Sequence, residues 1–357
     1  MDDAGAPSKP VRLTSLAHGG GCGCKIAPAA LQDILAKTPA AAAFPDLLVG
    51  TETADDAAVW RLNDEQAIVA TTDFFMPVVD DPFDFGRIAA TNALSDVYAM
   101  GAKPLFALAI VGMPVSVLAP DTIGAILAGG AEVCAKVGVP VAGGHSIDSV
   151  EPIYGLVAIG SAHPDRIMTN RSGRAGDVLI LGKAVGVGIL SAAFKQEKLD
   201  AAGYEALIAT TTQLNTPGPE LAALPAVHAM TDVTGFGLLG HALEMARGAG
   251  LTCELFADGP AVLPGVEALA KAGVRTGASG RNWASYGAAV RGAEALPAWK
   301  RDLLCDPQTS GGLLIAVDPA AVAAVLDLLR ERGFGYASVV GRLKEGPAQI
   351  EITDGAA

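Results

Sequence analysis

The most reactive side chains of the sequence lie near the amino terminus, where residues 18–25 read HGGGCGCK. Two thiols and an ammonium group follow each other closely there, and a nearby cation favours ionisation of a thiol to the reactive thiolate. The glycines allow tight turns and a close approach of the backbone to a ligand. We interpret the segment as a mobile, reactive loop, with Cys22 as its candidate thiol. A glycine-rich leader with incidental cysteines is the alternative.

Two common motifs do not match this loop. A Walker phosphate-binding loop requires Ser or Thr after its Lys, whereas Ile26 follows Lys25. A structural zinc site uses four ligands, commonly in two spaced pairs. His18, Cys22 and Cys24 supply at most three, and no second pair lies nearby.

Four carboxylates share one sequence context, because each lies at the edge of an apolar segment beside small or polar residues. They are Asp56, Asp73, Asp96 and Asp232. A carboxylate drawn into a core is costly unless a cation compensates it, and few basic residues lie near these positions. Mg²⁺ takes oxygen ligands and completes its shell with water and substrate phosphates. The sequence therefore indicates a cleft for Mg²⁺ and a polyphosphate, although helix caps and turn residues are the alternative for each Asp taken singly.

Two glycine-rich stretches are further candidates for nucleotide binding. Residues 235–240 (GFGLLG) match the dinucleotide fingerprint, with Glu254 and Asp258 at the distance of a ribose contact. We disfavour that interpretation because Asp232 lies just before the glycines and would oppose a pyrophosphate. Residues 143–146 (GGHS) follow a predicted strand and could contact phosphate or ribose through backbone N–H groups, and a tight turn is equally consistent with them.

Periodicity places these candidates on alternating strands and helices, which indicates a mixed α and β class. Asn92 and Asp96 share one face of a predicted helix that Gly101 ends. The polar segment 162–177 separates two apolar halves and marks the predicted domain boundary. The predicted helices are 28–37, 85–100, 121–137, 187–198, 204–214, 238–248, 264–272 and 319–332. The predicted strands are 67–73, 105–111, 139–142, 153–159, 178–181, 251–256, 313–317, 336–343 and 348–352.

Composition narrows the class of protein. A net charge of -13 over 357 residues argues against nucleic acid as a partner. Five scattered cysteines make no disulfide framework, which favours a reducing, cytoplasmic location, and we expect Cys134, Cys253 and Cys305 to be core residues. The acidic first residues do not form a secretory signal. The apolar run 104–120 is short and interrupted by Pro114, so we predict a buried strand and no membrane span.

In combination, the motifs resemble the selenophosphate synthetase (selenide, water dikinase) family. The Asp, Gly and Asn motifs also occur in the wider superfamily that includes aminoimidazole ribotide synthetase and thiamine-monophosphate kinase, whereas the GCGCK loop distinguishes selenophosphate synthetases. The matching stretches keep the family's order over nearly the whole chain and are residues 18–25, 53–59, 71–75, 90–96, 142–148, 231–237 and 306–312.

The resemblance implies a phosphotransferase with paired acceptors, which converts ATP, selenide and water into selenophosphate, orthophosphate and AMP. It implies an α+β (mixed α/β), two-domain architecture like that of aminoimidazole ribotide synthetase. Residues 1–50 would form a flexible catalytic segment, 51–163 the ATP- and Mg²⁺-binding and dimerisation domain, and 174–353 the C-terminal α+β domain. A homodimer through strands of the first domain and a selenium-delivery protein are the implied partners.

The resemblance also implies roles for particular residues. Cys22 would deliver selenium to the γ-phosphate as the catalytic thiol, and Lys25 would face the phosphates, with Cys24 as an accessory thiol. The implied metal ligands are Asp56, Asp96 and Asp232. The implied nucleotide contacts are Lys25, Thr53, Ala54, Asp55, Asp73, Asp96, Gly144, His145 and Ser146. An ADP-forming kinase or ligase of the superfamily and a non-catalytic thiol carrier for selenium or metal remain the alternatives.

Overall fold

Two mixed β-sheets covered by helices make up the chain, as the α+β prediction requires. The computed structural model describes residues 11–26, 28–37, 44–51 and 55–354. In the first half, the strands are β1 (Leu47–Val49), β2 (Ala58–Arg61), β3 (Ala67–Phe75), β4 (Lys103–Met113), β5 (Val141–Asp148) and β6 (Ile153–Ala162). The helices there are α1 (Pro28–Leu35), α2 (Pro82–Ala99) and α3 (Pro120–Lys136). These strands form one sheet in the order β1-β2-β3-β6-β4-β5. Among the described strands of this sheet, only β4 and β5 pair in parallel.

The second half forms a seven-stranded sheet in the order β10-β13-β9-β12-β7-β11-β8. Its strands are β7 (Val178–Leu181), β8 (Val227–Asp232), β9 (Thr252–Phe256), β10 (Val290–Arg291), β11 (Leu313–Val317), β12 (Ser338–Lys344) and β13 (Gln349–Thr353). Its helices are α4 (Val187–Lys195), α5 (Ala201–Thr211), α6 (Gly218–Ala222), α7 (Gly237–Ala249), α8 (Val266–Lys271), α9 (Gly277–Tyr286), α10 (Ala298–Leu304) and α11 (Val322–Glu331). Short 3₁₀ helices are Leu13–Leu16, Gly21–Cys24, Pro164–Arg166, Asn170–Ser172, Gly287–Ala289, Ala293–Ala295 and Pro319–Ala321.

Helix α2 is the element that joins the two halves. Its start is set by Asp81, whose side chain accepts the Asp84 backbone N–H, and by Pro82 in the first turn. Its end follows from Gly101, which adopts a φ of 74°. Most of its residues are buried, because α2 packs on β3, β6 and α3 on one side and against β8 and α5 on the other. Polar side chains on α2 therefore lie between the two sheets.

The sequence interpretation was wrong at one of the candidate motifs. Residues 143–146 do not form a turn after a strand, because they lie inside β5 and pair with β4. Glycines and a histidine carry weak strand propensity, so pairing with β4 outweighs local preference here. The predicted strand over 105–111 is present within β4, but it is only partly buried, with Leu105 42% exposed. The predicted strands and helices also leave out β1, β2, β8, β10, α6, α9 and α10.

The expectation for the three remaining cysteines is confirmed in the described chain. Cys134, Cys253 and Cys305 are each 0% exposed and contribute to the main apolar core. No helix in the described ranges is long and apolar enough to cross a membrane. The division of the chain into segments at 50, 163 and 174 remains a prediction.

Candidate active site

Loop 18–25 closes over a cleft between the two halves of the molecule. Strand β3 and helix α2 form one wall, and the end of β8 with segment 306–312 forms the other. The 3₁₀ helix Gly21–Cys24 lies across the opening, with the Gly21 N–H donating to Met76 O at 2.9 Å. The glycine-rich sequence thus folds back onto both halves.

Cys22 points into this cleft and is 1% exposed. Its backbone N–H donates to Thr309 Oγ1 at 3.1 Å, and its Sγ donates to Asn92 Oδ1 at 3.2 Å. Burial raises the pKa of the Cys22 thiol well above its ordinary value, and the attraction of Lys25 does not compensate. The expectation that a neighbouring cation would ionise the thiol is therefore wrong for the closed loop. Desolvation is the larger effect there, so Cys22 is a protonated hydrogen-bond donor.

Asn92 connects the loop to the rest of the cleft. Its Nδ2 donates to Asp73 Oδ2 at 2.6 Å, which leaves Oδ1 as an acceptor. That oxygen accepts from the Ser310 N–H at 2.7 Å as well as from Cys22 Sγ. Because the amide is held by strand β3 and segment 306–312 together, it fixes the position of the thiol.

Three carboxylates lie deeper in the same cleft and interact with one another: Asp96 and Asp232 are buried, and Asp56 is half-buried. Burial is the main cause that raises the pKa of Asp56 and Asp96 well above the usual range, and the charge of Asp232 raises both further. Burial also raises the pKa of Asp232. Each of the three accepts a hydroxyl hydrogen bond, from Thr231, Thr71 and Ser95 respectively. These hydroxyls satisfy part of the carboxylates' hydrogen-bonding capacity but supply no positive charge.

Lys25 brings a cation to the mouth of the cleft. Its Nζ lies 3.5 Å from Asp73 Oδ2, and its side chain is 38% exposed. Desolvation acts to lower the pKa of Lys25, but the charges of Asp73, Asp96 and Asp232 outweigh it and raise the pKa well above its ordinary value. Lys25 is thus a permanently charged ammonium group that solvent can reach.

The donor set suits a hard divalent cation. The carboxylate oxygens of Asp56, Asp96 and Asp232 are the ligand type that Mg²⁺ prefers, and a cation would relieve the repulsion that raises their pKa values. No group of three or more His, Cys, Asp or Glu side chains in the described chain forms a ready-made metal cage. Such a site fits a metal ion that arrives with a polyphosphate, whose oxygens complete the coordination shell.

Gly235 has a role that differs from the dinucleotide fingerprint. A Cβ at this position would lie 2.6 Å from Cys22 O and 3.1 Å from the Lys25 side chain. Glu254 pairs with Arg342 and Lys344, and Asp258 pairs with Lys300. The glycine therefore makes room for loop 18–25, and the two acidic residues are engaged elsewhere.

The structure brings together only part of the predicted site. Cys22, Lys25, Asp56, Asp73, Asp96 and Asp232 line one cleft. Asp55 Oδ1 accepts the backbone N–H of Asn170 at 2.6 Å. Thr53 and Ala54 lie outside the described residues. Gly144, His145 and Ser146 are exposed on β5, which β4 and β6 separate from β3, a distance of about 14 Å within one subunit.

Segment 306–312 holds residues whose role the sequence interpretation missed. Gln308 Oε1 accepts the N–H groups of Gly186 and Val187, each at 3.1 Å. The next two residues reach the cleft: Thr309 Oγ1 accepts the backbone N–H of Cys22, and the Ser310 N–H donates to Asn92 Oδ1. Lys183, 2% exposed, donates to Ser310 O at 2.7 Å and to Gln213 O at 2.6 Å. The run of polar residues in an apolar half was the signal that could have indicated this function.

Comparisons with known proteins agree with the fold and the motifs. Residues 54–162 match the AIR synthase related protein, N-terminal domain, and residues 174–353 match the AIR synthase related protein, C-terminal domain. Among solved structures, thiamine-monophosphate kinase from Stenotrophomonas maltophilia superposes with a TM-score of 0.64 at 21% identity, covering 92% of this chain and 97% of that one. Hydrogenase maturation protein HypE in complex with ATP superposes with a TM-score of 0.63 at 19% identity, covering 87% and 86%.

Curated relatives are far more similar in sequence. A selenide, water dikinase of Burkholderia ambifaria is 67% identical over 341 residues, which is 96% of both chains. One of Paraburkholderia xenovorans is 64% identical over 354 residues, which is 99% of this chain and 100% of the relative. On this full-length similarity, the chain belongs to the selenide, water dikinase (selenophosphate synthetase) family of enzymes.

Proposed function

We propose that the protein makes selenophosphate from ATP, selenide and water, with AMP and orthophosphate as the other products. The observation that carries the proposal is the contact between the loop thiol and the carboxylate cleft. Cys22 Sγ donates to Asn92 Oδ1, and the same amide donates to Asp73. A thiol and a polyphosphate site are thereby joined in one buried volume, as a reaction of selenide with ATP requires.

In the first step, the hydrogen selenide anion attacks the γ-phosphorus of ATP. A selenium–phosphorus bond forms, the bond from that phosphorus to the β,γ-bridging oxygen breaks, and ADP leaves with the electron pair. The selenium-bound proton passes to solvent. The Cys22 sulfur, whose own hydrogen is donated to Asn92 Oδ1, accepts the Se–H hydrogen bond of selenide and so positions it, and the closed loop excludes water.

In the second step, water attacks the β-phosphorus of the bound ADP. The new bond joins the water oxygen to phosphorus, the bond to the α,β-bridging oxygen breaks, and AMP leaves. Orthophosphate keeps one proton of the water, and the other goes to solvent. Phosphoryl transfer depends on positioning and charge neutralisation, and Lys25 contributes a fixed positive charge beside Asp73.

Magnesium, held by Asp56, Asp96 and Asp232, would neutralise phosphate charge when it is bound with ATP. Ser95, Thr71 and Thr231 orient the three carboxylates by donating to them. The chain itself therefore fixes the direction of the ligand oxygens before the nucleotide binds.

We also propose that the protein is a homodimer through the first sheet. Phe74, Phe106 and Ile147 are 48%, 37% and 58% exposed on β3, β4 and β5, and in the described chain β5 pairs with β4 alone. Exposed apolar strands of this kind are usually covered by a partner. In such a dimer, residues 144–146 would lie near the interface, where they would contact a nucleotide bound by the second copy.

Cys22→Ser tests the assigned thiol, with Cys24→Ser as the matched control. We expect Cys22→Ser to lose selenide-dependent AMP formation and to keep Mg²⁺-ATP binding in equilibrium dialysis. Cys24, which is half-buried, should tolerate the same change with most activity retained. Full activity in Cys22→Ser would refute the role of the thiol, and selenium retained on the protein without turnover would favour a carrier.

A further inference from the structure

A second cavity lies on the outer side of the catalytic loop. It has a volume of about 310 Å³ and is lined by the loop, the end of α4 and the start of α9. Gly19, Gly20 and Gly23 form its wall toward the cleft, whereas Cys22 points away from it into the cleft. The loop backbone thus separates an acidic inner site from this outer cavity.

The charge of the cavity is opposite to that of the protein. The chain has 38 Asp and Glu residues against 25 Lys and Arg, yet none of the described residues that line the cavity is Asp or Glu. His18, Lys195, Arg275 and Arg281 all line it. In an acidic protein, the positive charges of Lys195, Arg275 and Arg281 create a local anion-attracting potential.

Arg281 contacts loop 18–25 itself, and Lys195 contacts the residue just before it. Lys195 Nζ donates to Ala17 O at 3.1 Å, and Arg281 Nη2 donates to Gly23 O at 2.9 Å. A carbonyl oxygen accepts a hydrogen bond but does not neutralise a full positive charge. Arg281 therefore keeps its charge and its remaining N–H groups for an anion. Lys195 is attracted by Glu151, which lies outside the cavity, and its ammonium group faces the cavity beside the loop.

Arg275 and His18 lie at the rim and have acidic neighbours. Arg275 Nη1 lies 3.1 Å from Asp302 Oδ2, and His18 Nδ1 lies 2.9 Å from Glu151 Oε2. Asp302 and Glu151 do not line the cavity, so these contacts hold Arg275 and His18 at its edge without placing a carboxylate inside.

We propose that this cavity is a binding site for a phosphate-class oxyanion. Arginine forks and a lysine ammonium match the oxygens of a phosphate, and 310 Å³ accommodates one with its waters. The same donors reject a metal cation. The identity of the occupant depends on the proposed function, which releases two such oxyanions, orthophosphate and selenophosphate, from beneath the loop. The cavity would then receive a product anion as the loop opens, and the anion would bridge Lys195 and Arg281 across the loop's outer face.

Orthophosphate binding to the intact protein tests the site directly. Isothermal titration calorimetry is performed with Mg²⁺ and a saturating non-hydrolysable ATP analogue, which fills the inner cleft. We expect orthophosphate to bind under these conditions, and to bind about tenfold more weakly to Arg275→Gln and to the double variant Arg275→Gln/Arg281→Gln. Arg330→Gln is the matched control, because Arg330 pairs with Asp327 on the surface of α11 and does not line the cavity.

Three results would overturn the proposal: absence of phosphate binding, displacement of phosphate by the ATP analogue, or equal affinity in the wild type and both cavity variants. Weaker binding in either cavity variant, with Arg330→Gln unchanged, supports it. Monothiophosphate then distinguishes the source of the anion. Tighter binding of monothiophosphate than of orthophosphate indicates the selenium-bearing product, whereas equal or weaker binding indicates orthophosphate. Because no step of this experiment requires turnover, a failure of the proposed reaction would leave the binding result standing.

Discussion

Replacing Thr309 with valine should destabilise the closed form of loop 18–25 without changing the loop's own side chains. Thr309 Oγ1 accepts the backbone N–H of Cys22 at 3.1 Å, and the two residues are 3% and 1% exposed. Valine keeps the shape of threonine but has no acceptor. The Cys22 N–H would then be buried without a partner whenever the loop is closed, whereas water would satisfy it in the open loop.

The magnitude follows from the cost of that unpaired group. A buried donor without a partner costs about 1–3 kcal/mol, and this penalty applies to the closed loop alone. The equilibrium between closed and open loop should therefore shift toward the open form by about 5- to 150-fold. Global stability should change less, because the core of neither half depends on this contact.

Alkylation of Cys22 measures the shift. In a Cys24→Ser background, iodoacetamide labelling of the Cys22 peptide is followed by mass spectrometry, since Cys134, Cys253 and Cys305 are 0% exposed. The labelling rate should rise in Thr309→Val by the factor given above, and kcat/KM for selenide should fall in parallel. Thr309→Ser should restore both values.

Thr212→Val is the matched control for the same substitution. Thr212 Oγ1 donates to Ile208 O at the end of α5 and does not contact the loop. The labelling rate of Cys22 in Thr212→Val should equal the rate in the parent protein. If Thr309→Val labelled no faster than Thr212→Val, the hydrogen bond to Cys22 would not hold the loop closed, and the reasoning would be refuted.

Three further substitutions test other parts of the account. Burial lowers the pKa of Lys183 from its ordinary value of 10.5 to about 7. Between these two pH values the unfolded chain binds more protons at this residue than the folded chain does, so the free energy of unfolding rises with pH. In urea unfolding, the rise contributed by Lys183 should amount to about 2 kcal/mol between pH 7 and pH 9, and Lys183→Met should lack it. An equal dependence of unfolding free energy on pH in the wild type and in Lys183→Met would contradict the lowered pKa. Asp232→Asn should raise the melting temperature without metal, because one charge leaves the repelling cluster, and should abolish Mg²⁺-dependent ATP binding; a lower melting temperature would argue against repulsion. Phe106→Glu should convert the proposed dimer to a monomer in sedimentation velocity at constant secondary structure, and an unchanged sedimentation coefficient would place the dimer contact elsewhere.

The acidic half of the candidate site was predictable because its signals are local. Asp73 lies near the end of an apolar strand and Asp96 lies on a helix face with Asn92, so each position follows from the periodicity of its own element. The fold class followed from the same alternation of strands and helices. Family resemblance added the grouping of these residues into one site, which the periodicity of single elements does not provide.

The support of the loop was not predictable, because it depends on long-range contacts. Thr309 and Cys22 are 287 positions apart, and Lys183 reaches Ser310 across 127 positions. Nothing in the local pattern of either partner specifies such a pair. The pKa of Cys22 was not predictable for the same reason. The closed loop buries the thiol, and this burial raises its pKa more than the charge of Lys25 lowers it.

The most direct test of the central claim is phosphorus NMR of the purified protein with Mg²⁺, ATP and anaerobic selenide. We expect a new phosphorus signal coupled to selenium, with AMP and orthophosphate formed in equal amounts. Without selenide, none of these products should form. ADP as the final nucleotide, with no selenium-coupled signal, would contradict the account and would indicate an ADP-forming kinase or ligase of the same superfamily.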